Sequence, residues 1–345
     1  MSKNKPKSKI TIIDVAKEAG VSIKTVSRVL NNEPNVRQST RDKVEEVARR
    51  LDFHPNLSAR RLAGSRSFMI ALAYDNPSLD YIGILQQGAV TACRENGYHL
   101  LVEPMGASVN QDFISQMVRQ LSVDGVILTP PVCDDPTILE ALREANVPTV
   151  RIAPQEISAS TGSVRMDDKA AAHAMTEHLI ATGHRDIAFI RGHENHGATI
   201  NRYQGFEQAM VAAGLQPRDE WILDGDFSFA SGSICGEQIM SGKEKPTAIF
   251  ASNDDMAAGV MAAMGRLGLS VPEQVSVAGC DDGHFARSTW PQLTTIKQPI
   301  EEMGKWAAQL LIEDQKKMRD GESGRMISLD FELIIRGSTR ILPSE

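Results

Sequence analysis

The chain has 345 residues, 41% of them hydrophobic and 23% charged, with a formal net charge of −7. This composition suits a folded globular protein of two or three domains and excludes a collagen-like or low-complexity chain. No apolar run reaches the ~20 residues needed to span a bilayer. No apolar signal core follows the basic start MSKNKPKSK, so a cytoplasmic location is expected. The net charge hides an asymmetry: residues 1–66 hold 15 Lys+Arg against 7 Asp+Glu, net +8, leaving 22 basic and 37 acidic residues beyond them, net −15. A basic head on an acidic body points to a polyanion met by the head alone. Cys93, Cys133, Cys235 and Cys280 form no CxxC pair and sit in or beside apolar runs, as free buried thiols in a reducing compartment do.

In chain order, Thr11 with Asp14 three residues on approximates a capping box. Ile13, Val15, Ala16 and Ala19 are expected to face inward from the helix it opens, and Gly20 to end that helix. Ser22 is a good N-cap for a second helix, Ile23 to Leu30, with Val26, Val29 and Leu30 as its apolar stripe. Two short helices joined at Gly20-Val21-Ser22 read as a helix-turn-helix, the second being the recognition helix. Ile23 and Lys24, with Arg28 one turn on, are placed to meet base edges in the major groove. Lys and Arg donate to guanine, and Ile touches a thymine methyl. A third helix fits Ser39 to about Leu51, with Ser39 and Asp42 repeating the capping pattern and Val44, Val47, Ala48 and Leu51 closing a small core. Asn31 and Asn32 lie between helices two and three, near the expected path of a phosphate. Pro55 breaks the preceding helix, and the following stretch allows about two helical turns, too few to be stable alone.

The segments TIIDVAKEAGVSIKTVSRVLNN, VRQSTRDKVEEVARRLDFHPN and LSARRLAG resemble the headpiece of the lac repressor family throughout residues 10–66. The resemblance implies that Ile23, Lys24 and Arg28 read bases while Ser22, Thr25, Ser27 and Asn31 hold phosphates. It also implies a hinge helix, Asn56–Ala63, paired with its dimer mate in the minor groove. There Leu62 would be the wedge, with Ala59 beside it; such wedges unstack a base step and kink the duplex.

Beyond Ser67 the sequence alternates strand-like and helical runs. Phe68–Ala73, His99–Val102, Gly125–Leu128, Thr149–Ile152, Asp186–Ile190, Trp221–Gly225, Ala248–Ala251 and Val275–Ala278 read as strands. Tyr81–Asn96, Phe113–Leu121, Ile138–Ala145, Ala170–Thr182, Tyr203–Ala213, Ser231–Met240 and Asp254–Leu267 read as helices. This rhythm implies parallel sheets covered on both faces, and the length fits two of them. No GxGxxG, P-loop or GxSxG accompanies the strands, so no cofactor and no doubly wound enzyme is expected. His193 and His196 lie in a Gly-rich loop with no third ligand in view, so they read as solvated rather than metal-binding. Asp281 and Asp282 are adjacent at a strand end and point different ways, unlike a catalytic pair.

VDGVILTPP, ATGHRDIAFIRG, NRYQGFEQAM, PTAIFASNDDMAAGVM, VSVAGCDDG, WPQLTTIKQP and LIIRGSTR extend the resemblance over nearly all of residues 68–342. It implies an α/β fold: an all-α headpiece, then a two-lobed core like periplasmic sugar-binding proteins, built on doubly wound parallel sheets. The implied divisions are a headpiece at 1–55, hinge and linker at 56–66, and an effector-binding core at 67–345. The core's N-lobe would take about 67–166 and 298–328, and its C-lobe about 167–297 and 329–342. Open α/β sheets bind ligands at the carboxyl ends of their strands. The resemblance puts Arg202 in that cleft as a fork for ligand hydroxyl or carboxylate oxygens, with Asn253 and Asp281 for hydroxyls. Phe227 would be a stacking aromatic, and Tyr81 and Asn76 would line the other lobe. Asn253 and Asp281 also fit a plain strand-end turn and cap.

The implied partners are a palindromic operator DNA and a small-molecule effector, with no metal and no membrane. The polar set with Phe227 favours a sugar or glycoside, and a nucleobase would also stack. Two half-sites need two recognition helices, so a homodimer is expected; the chain ends at ILPSE with no leucine-heptad helix of the kind that makes tetramers. The sequence departs from the family's common pattern at Cys280, at Asp168 and at the Ile23-Lys24 pair. A solute-binding protein would share the body but has no use for a basic headpiece.

Overall fold

The computed structural model describes residues 10–30, 35–53, 66–106, 122–158, 160–322 and 324–343. Asn31, the expected hinge with Ala59 and Leu62, and the helix expected at Phe113–Leu121 lie outside the described residues. The chain divides into two compact units, Met1–Ser67 and Phe68–Glu345.

The first unit packs three helices, α1 (Ile12–Ala19), α2 (Ile23–Leu30) and α3 (Gln38–Arg50). The Thr11 backbone N–H and hydroxyl both donate to the Asp14 carboxylate, at 2.8 and 2.7 Å, and these bonds hold the Asp14 pKa below the usual range. Gly20 closes α1 at φ 63°, a left-handed conformation that a Cβ disfavours. Val15, Ala16, Ala19, Val26, Val29, Val44, Val47 and Ala48 form the core. Ile13 is not part of it: it is 60% exposed, and Ile12 packs inward instead. The reason is helical phase, since Ile12, Val15, Ala16 and Ala19 follow i, i+3, i+4 and i+7 while Ile13 is turned about 100° away. Ser39 is also not the start of α3. Arg37 occupies the N-cap position without a side-chain cap, and Asp42 accepts from Gln38 Nε2 at 2.7 Å.

The second unit contains two six-stranded sheets. The first takes β1 (Met69–Tyr74), β2 (His99–Pro104), β3 (Gly125–Leu128), β4 (Thr149–Ile152), β5 (Gly162–Met166) and β11 (Met326–Leu329) in the order β11-β5-β4-β3-β1-β2. All its pairings are parallel. The second takes β6 (Ile187–Arg191), β7 (Ile222–Asp224), β8 (Ala248–Ala251), β9 (Ser276–Asp281), β10 (Thr294–Lys297) and β12 (Glu332–Ile334) in the order β12-β10-β9-β8-β6-β7. There only β12 runs antiparallel, against β10. The central strands β3, β4 and β8 are buried at every residue, as parallel strands covered on both faces must be. The chain passes between the sheets three times: after β5, after β10 and between β11 and β12.

The covering helices are α4 (Leu79–Glu95), α5 (Pro136–Glu144), α6 (Asp168–Ala181), α7 (Gly197–Ala212), α8 (Phe229–Ser241), α9 (Asp254–Arg266), α10 (His284–Ser288) and α11 (Ile300–Arg319). Helices α4 and α11 meet almost backbone to backbone. A Cβ at Gly88 would lie 1.8 Å from the Glu301 carbonyl oxygen, and one at Gly304 1.9 Å from that of Leu85. All four cysteines are free and buried. No helix among the described residues is long and apolar enough to cross a membrane.

Candidate functional site

The first unit offers an exposed helix face. Burying Val26 and Val29 turns Ile23, Lys24 and Arg28 of α2 to the surface, where Ile23 is 48% exposed. An isoleucine left so open at the start of a helix has packing to gain from a partner. Ser22 spends its hydroxyl locally, accepting the Thr25 N–H at 3.1 Å and pairing with the Thr25 hydroxyl at 2.8 Å. That cap fixes where α2 begins. At its other end Arg41 donates to the Val29 carbonyl at 3.2 Å. Thr25 and Ser27 are half-buried beside the exposed set.

The second unit contains a cleft of about 430 Å³, part of it open to solvent. Its lining comes from the carboxyl ends of nearly every strand. Asn76, Ser78 and Tyr81 follow β1; Pro130 and Ala153 follow β3 and β4; Asp168 follows β5. His196, Ala198 and Arg202 follow β6; Phe227 and Asn253 follow β7 and β8; Asp281 ends β9 and Gln298 follows β10. Asn76, Tyr81, Arg202, Phe227, Asn253 and Asp281, scattered over two hundred positions of sequence, thus line one cavity.

Their hydrogen bonds refine what each can do. Arg202, on α7 and almost fully buried, is clamped by Asp168: its Nε and Nη2 both lie 2.8 Å from Asp168 Oδ1. Its Nη1 donates to the Ser252 carbonyl. Asp168 sits in the first turn of α6, where the helix dipole favours a carboxylate. Asn253 is the N-cap of α9, with Oδ1 accepting the Met256 N–H at 3.0 Å and Nδ2 donating to the Phe227 carbonyl at 2.9 Å. Its amide therefore first ties the Phe227 loop to α9. Asp281 Oδ1 accepts from Gln298 Nε2 at 2.5 Å, and burial, followed by the neighbouring Asp254 charge, drives its pKa well up. Asp282 turns away into ion pairs with Arg287 and Arg336, which separates the two adjacent acids. Burial raises the Tyr81 pKa, and Asp281 and Asp168 add to the effect.

Phe227 has φ 68° and Asp281 φ 145°, backbone regions that side-chain-bearing residues seldom adopt; such outliers gather where a site over-determines the backbone. The Phe227 ring lies over Gly192, where a Cβ would sit 1.9 Å from its Cζ. It also packs on His196, with ring centroids 4.9 Å apart. This overturns the reading of His196 as a solvated loop residue. It is 4% exposed, burial pushes its pKa down to about 4, and it lines the cleft as a neutral imidazole. Sequence spacing misses this because the loop before α7 folds back under Phe227, a contact with no local signature. Among the described residues no group of three or more His, Cys, Asp or Glu could hold a metal ion. Gln298, Ser78 and Asp168 were also not assigned to the site from sequence; each directly follows, or lies within four residues of, a strand's carboxyl end, which is the signal that finds them.

Ser78 Oγ donates to Asp255 Oδ2 at 2.9 Å, and the His284 N–H donates to Asp80 Oδ2 at 2.6 Å. Both bonds run from the start of α4, on the first sheet, to α9 and α10 on the second, across the cleft.

Comparison with known proteins agrees with this architecture. Residues 11–56 match the model of bacterial regulatory proteins of the lacI family, and residues 176–339 that of a periplasmic binding protein-like domain. Catabolite control protein A of Priestia megaterium is 33% identical over 338 residues, covering 96% of this chain and 99% of that protein. The transcriptional regulator CelR–cellobiose complex superposes with a TM-score of 0.73 at 28% identity, covering 95% and 99% of the two chains. The Lac repressor dimer bound to operator and the anti-inducer ONPF does so with a TM-score of 0.74 at 29% identity, covering 96% and 100%. The chain belongs to the lacI family of bacterial regulatory proteins: it is a DNA-binding transcription regulator with an effector-binding core, not an enzyme.

Proposed function

We propose that this protein is a repressor that binds a palindromic operator as a homodimer and is switched by a sugar or glycoside seated in the cleft. The observation that carries the effector reading is the lining itself. The aromatic rings of Phe227 and Tyr81 share the lining with hydrogen-bonding groups, Arg202, Asn76, Gln298, Asp168 and Asp281, which follow or end strands of both sheets. A polyol needs such a mixture: a flat apolar face for its C–H groups and paired donors and acceptors for its hydroxyls. The solved cellobiose complex of a regulator with the same fold lends support. In this reading Ile23, Lys24 and Arg28 read bases, Ser22, Thr25, Ser27 and Asn31 hold phosphates, and Leu62 with Ala59 enters the minor groove. Effector binding shifts the lobes, and the short hinge, marginal as an isolated helix, orders or melts in response. A coupling of about 1–3 kcal/mol is enough to switch operator occupancy.

Selection from random duplexes, followed by operator titration with mono- and disaccharides, tests this reading. A near-palindromic site whose affinity changes with one sugar is the expected result. A site indifferent to every sugar but responsive to a nucleobase would end the sugar assignment and leave the regulator.

A further inference from the structure

The charge arrangement of the cleft determines more than its shape. Among the described residues, the arginine and acids lining it are Arg202, Asp168 and Asp281, and no lysine or second arginine joins them. Three of the five N–H groups of the Arg202 guanidinium are already engaged: two are on Asp168 Oδ1 at 2.8 Å and one is on the Ser252 carbonyl. Both partners of the ion pair are buried, with side chains only 6% and 7% exposed, so little water screens them. His196 adds no positive charge, because burial holds it neutral. The Arg202 charge is therefore compensated before any ligand arrives. A carboxylate or phosphate brought in would lie beside Asp168 and Asp281 with no uncompensated cation among the described lining residues to meet it, and a buried uncompensated charge is costly. Hydroxyl groups face no such cost. They can accept from the remaining Arg202 N–H groups and from Asn76 or Gln298, and donate to carboxylate oxygens of Asp168 and Asp281.

We infer that Asp168 acts as a charge filter: by neutralising Arg202 it restricts the cleft to uncharged effectors and turns away their acidic or phosphorylated counterparts. This rests on the reading of the cleft as the effector site. Removing the filter's charge while keeping its shape should invert the selection, since Asp168→Asn still offers an oxygen to Arg202 but removes the carboxylate paired with it.

The test is calorimetry and thermal denaturation of the full chain with matched sets: glucose, glucuronate and glucose 6-phosphate; galactose and galacturonate; ribose and ribose 5-phosphate. The expected result is no saturable binding of any acidic member by the wild type. Asp168→Asn, its fold checked by circular dichroism, gains at least tenfold in affinity for one or more acidic members, and adding Arg202→Gln abolishes the gain. Wild-type protein that binds a sugar acid or sugar phosphate as tightly as the neutral parent overturns the inference. So does a folded Asp168→Asn with no gain for any anion. Should the variant not fold, the wild-type titrations decide alone. The two readings fail separately. Binding of an uncharged nucleobase and no sugar ends the sugar assignment and upholds the filter; tight binding of a sugar acid does the reverse.

Discussion

Asp80→Ala cuts a tie across the cleft without touching its lining. Asp80 Oδ2 accepts the His284 N–H at 2.6 Å, and a Cβ built on Gly283 would lie 2.4 Å from the same oxygen, so carboxylate and backbone are in direct contact. A hydrogen bond from an amide to a charged acceptor is worth about 1.5–3 kcal/mol when shielded. Asp80 is half-exposed, and solvent screening reduces this to about 1–1.5 kcal/mol. Since 1.4 kcal/mol is a factor of ten, the closed-to-open ratio should fall roughly tenfold. The Ser78–Asp255 bond remains and limits the loss. Hydrogen exchange of the His284 amide reads the effect directly: its protection should fall about tenfold in Asp80→Ala and persist in Asp80→Asn, whose amide oxygen still accepts. Small-angle scattering should show the alanine variant more open. Wild-type protection in Asp80→Ala would refute the tie, and equal loss in both variants would show that charge rather than the hydrogen bond holds it.

Other expectations follow from single contacts. Gly192→Ala puts a Cβ against the Phe227 ring and should displace it, costing about 1–3 kcal/mol as overpacking does, with effector binding lost while circular dichroism shows the fold retained. Lys24→Ala should relax base preference at one position per half-site by about 1–3 kcal/mol in duplex selection; a loss uniform over all sequences would instead make Lys24 a phosphate contact. His184 bonds Thr247 Oγ1 at 2.9 Å and the Arg340 carbonyl at 3.2 Å, and burial pushes its pKa down to about 4. Because that value lies below the ordinary 6.5, the unfolded chain binds the proton first, and His184 makes stability fall as pH drops from about 6.5 to about 4. NMR titration should therefore show His184 neutral at pH 5.5, and His184→Gln should reduce the acid sensitivity of unfolding; an imidazole charged at pH 6 would contradict this.

Much of the architecture was legible before any coordinates. The strands Gly125–Leu128 and Ala248–Ala251 are continuous apolar runs bounded by turns, and the structure has them at those residues. The motifs also named the residues that meet in the cleft, because strand carboxyl ends in such sheets converge whatever their distance in sequence. Less visible were the elements whose signals are weak or borrowed. Strand β5 contains Gly162, Ser163 and Arg165, and strands β11 and β12 are half-exposed edges without an apolar run. They exist because neighbours already in place offer backbone partners.

Sequence by itself therefore determined the class of protein, a basic three-helix head and a two-sheet body, and named six of the side chains that line the cleft. Only the tertiary structure decided how those side chains are spent. It placed His196 under Phe227, made Asn253 a cap before anything else, and set Asp168 against Arg202. Helix and strand patterns arise from neighbours three, four or two residues apart and can be read locally. The ion pair and carbonyl hydrogen bonds of Arg202 and Asn253 join residues 26 to 50 positions apart, through space that exists only once the elements around the second sheet have packed.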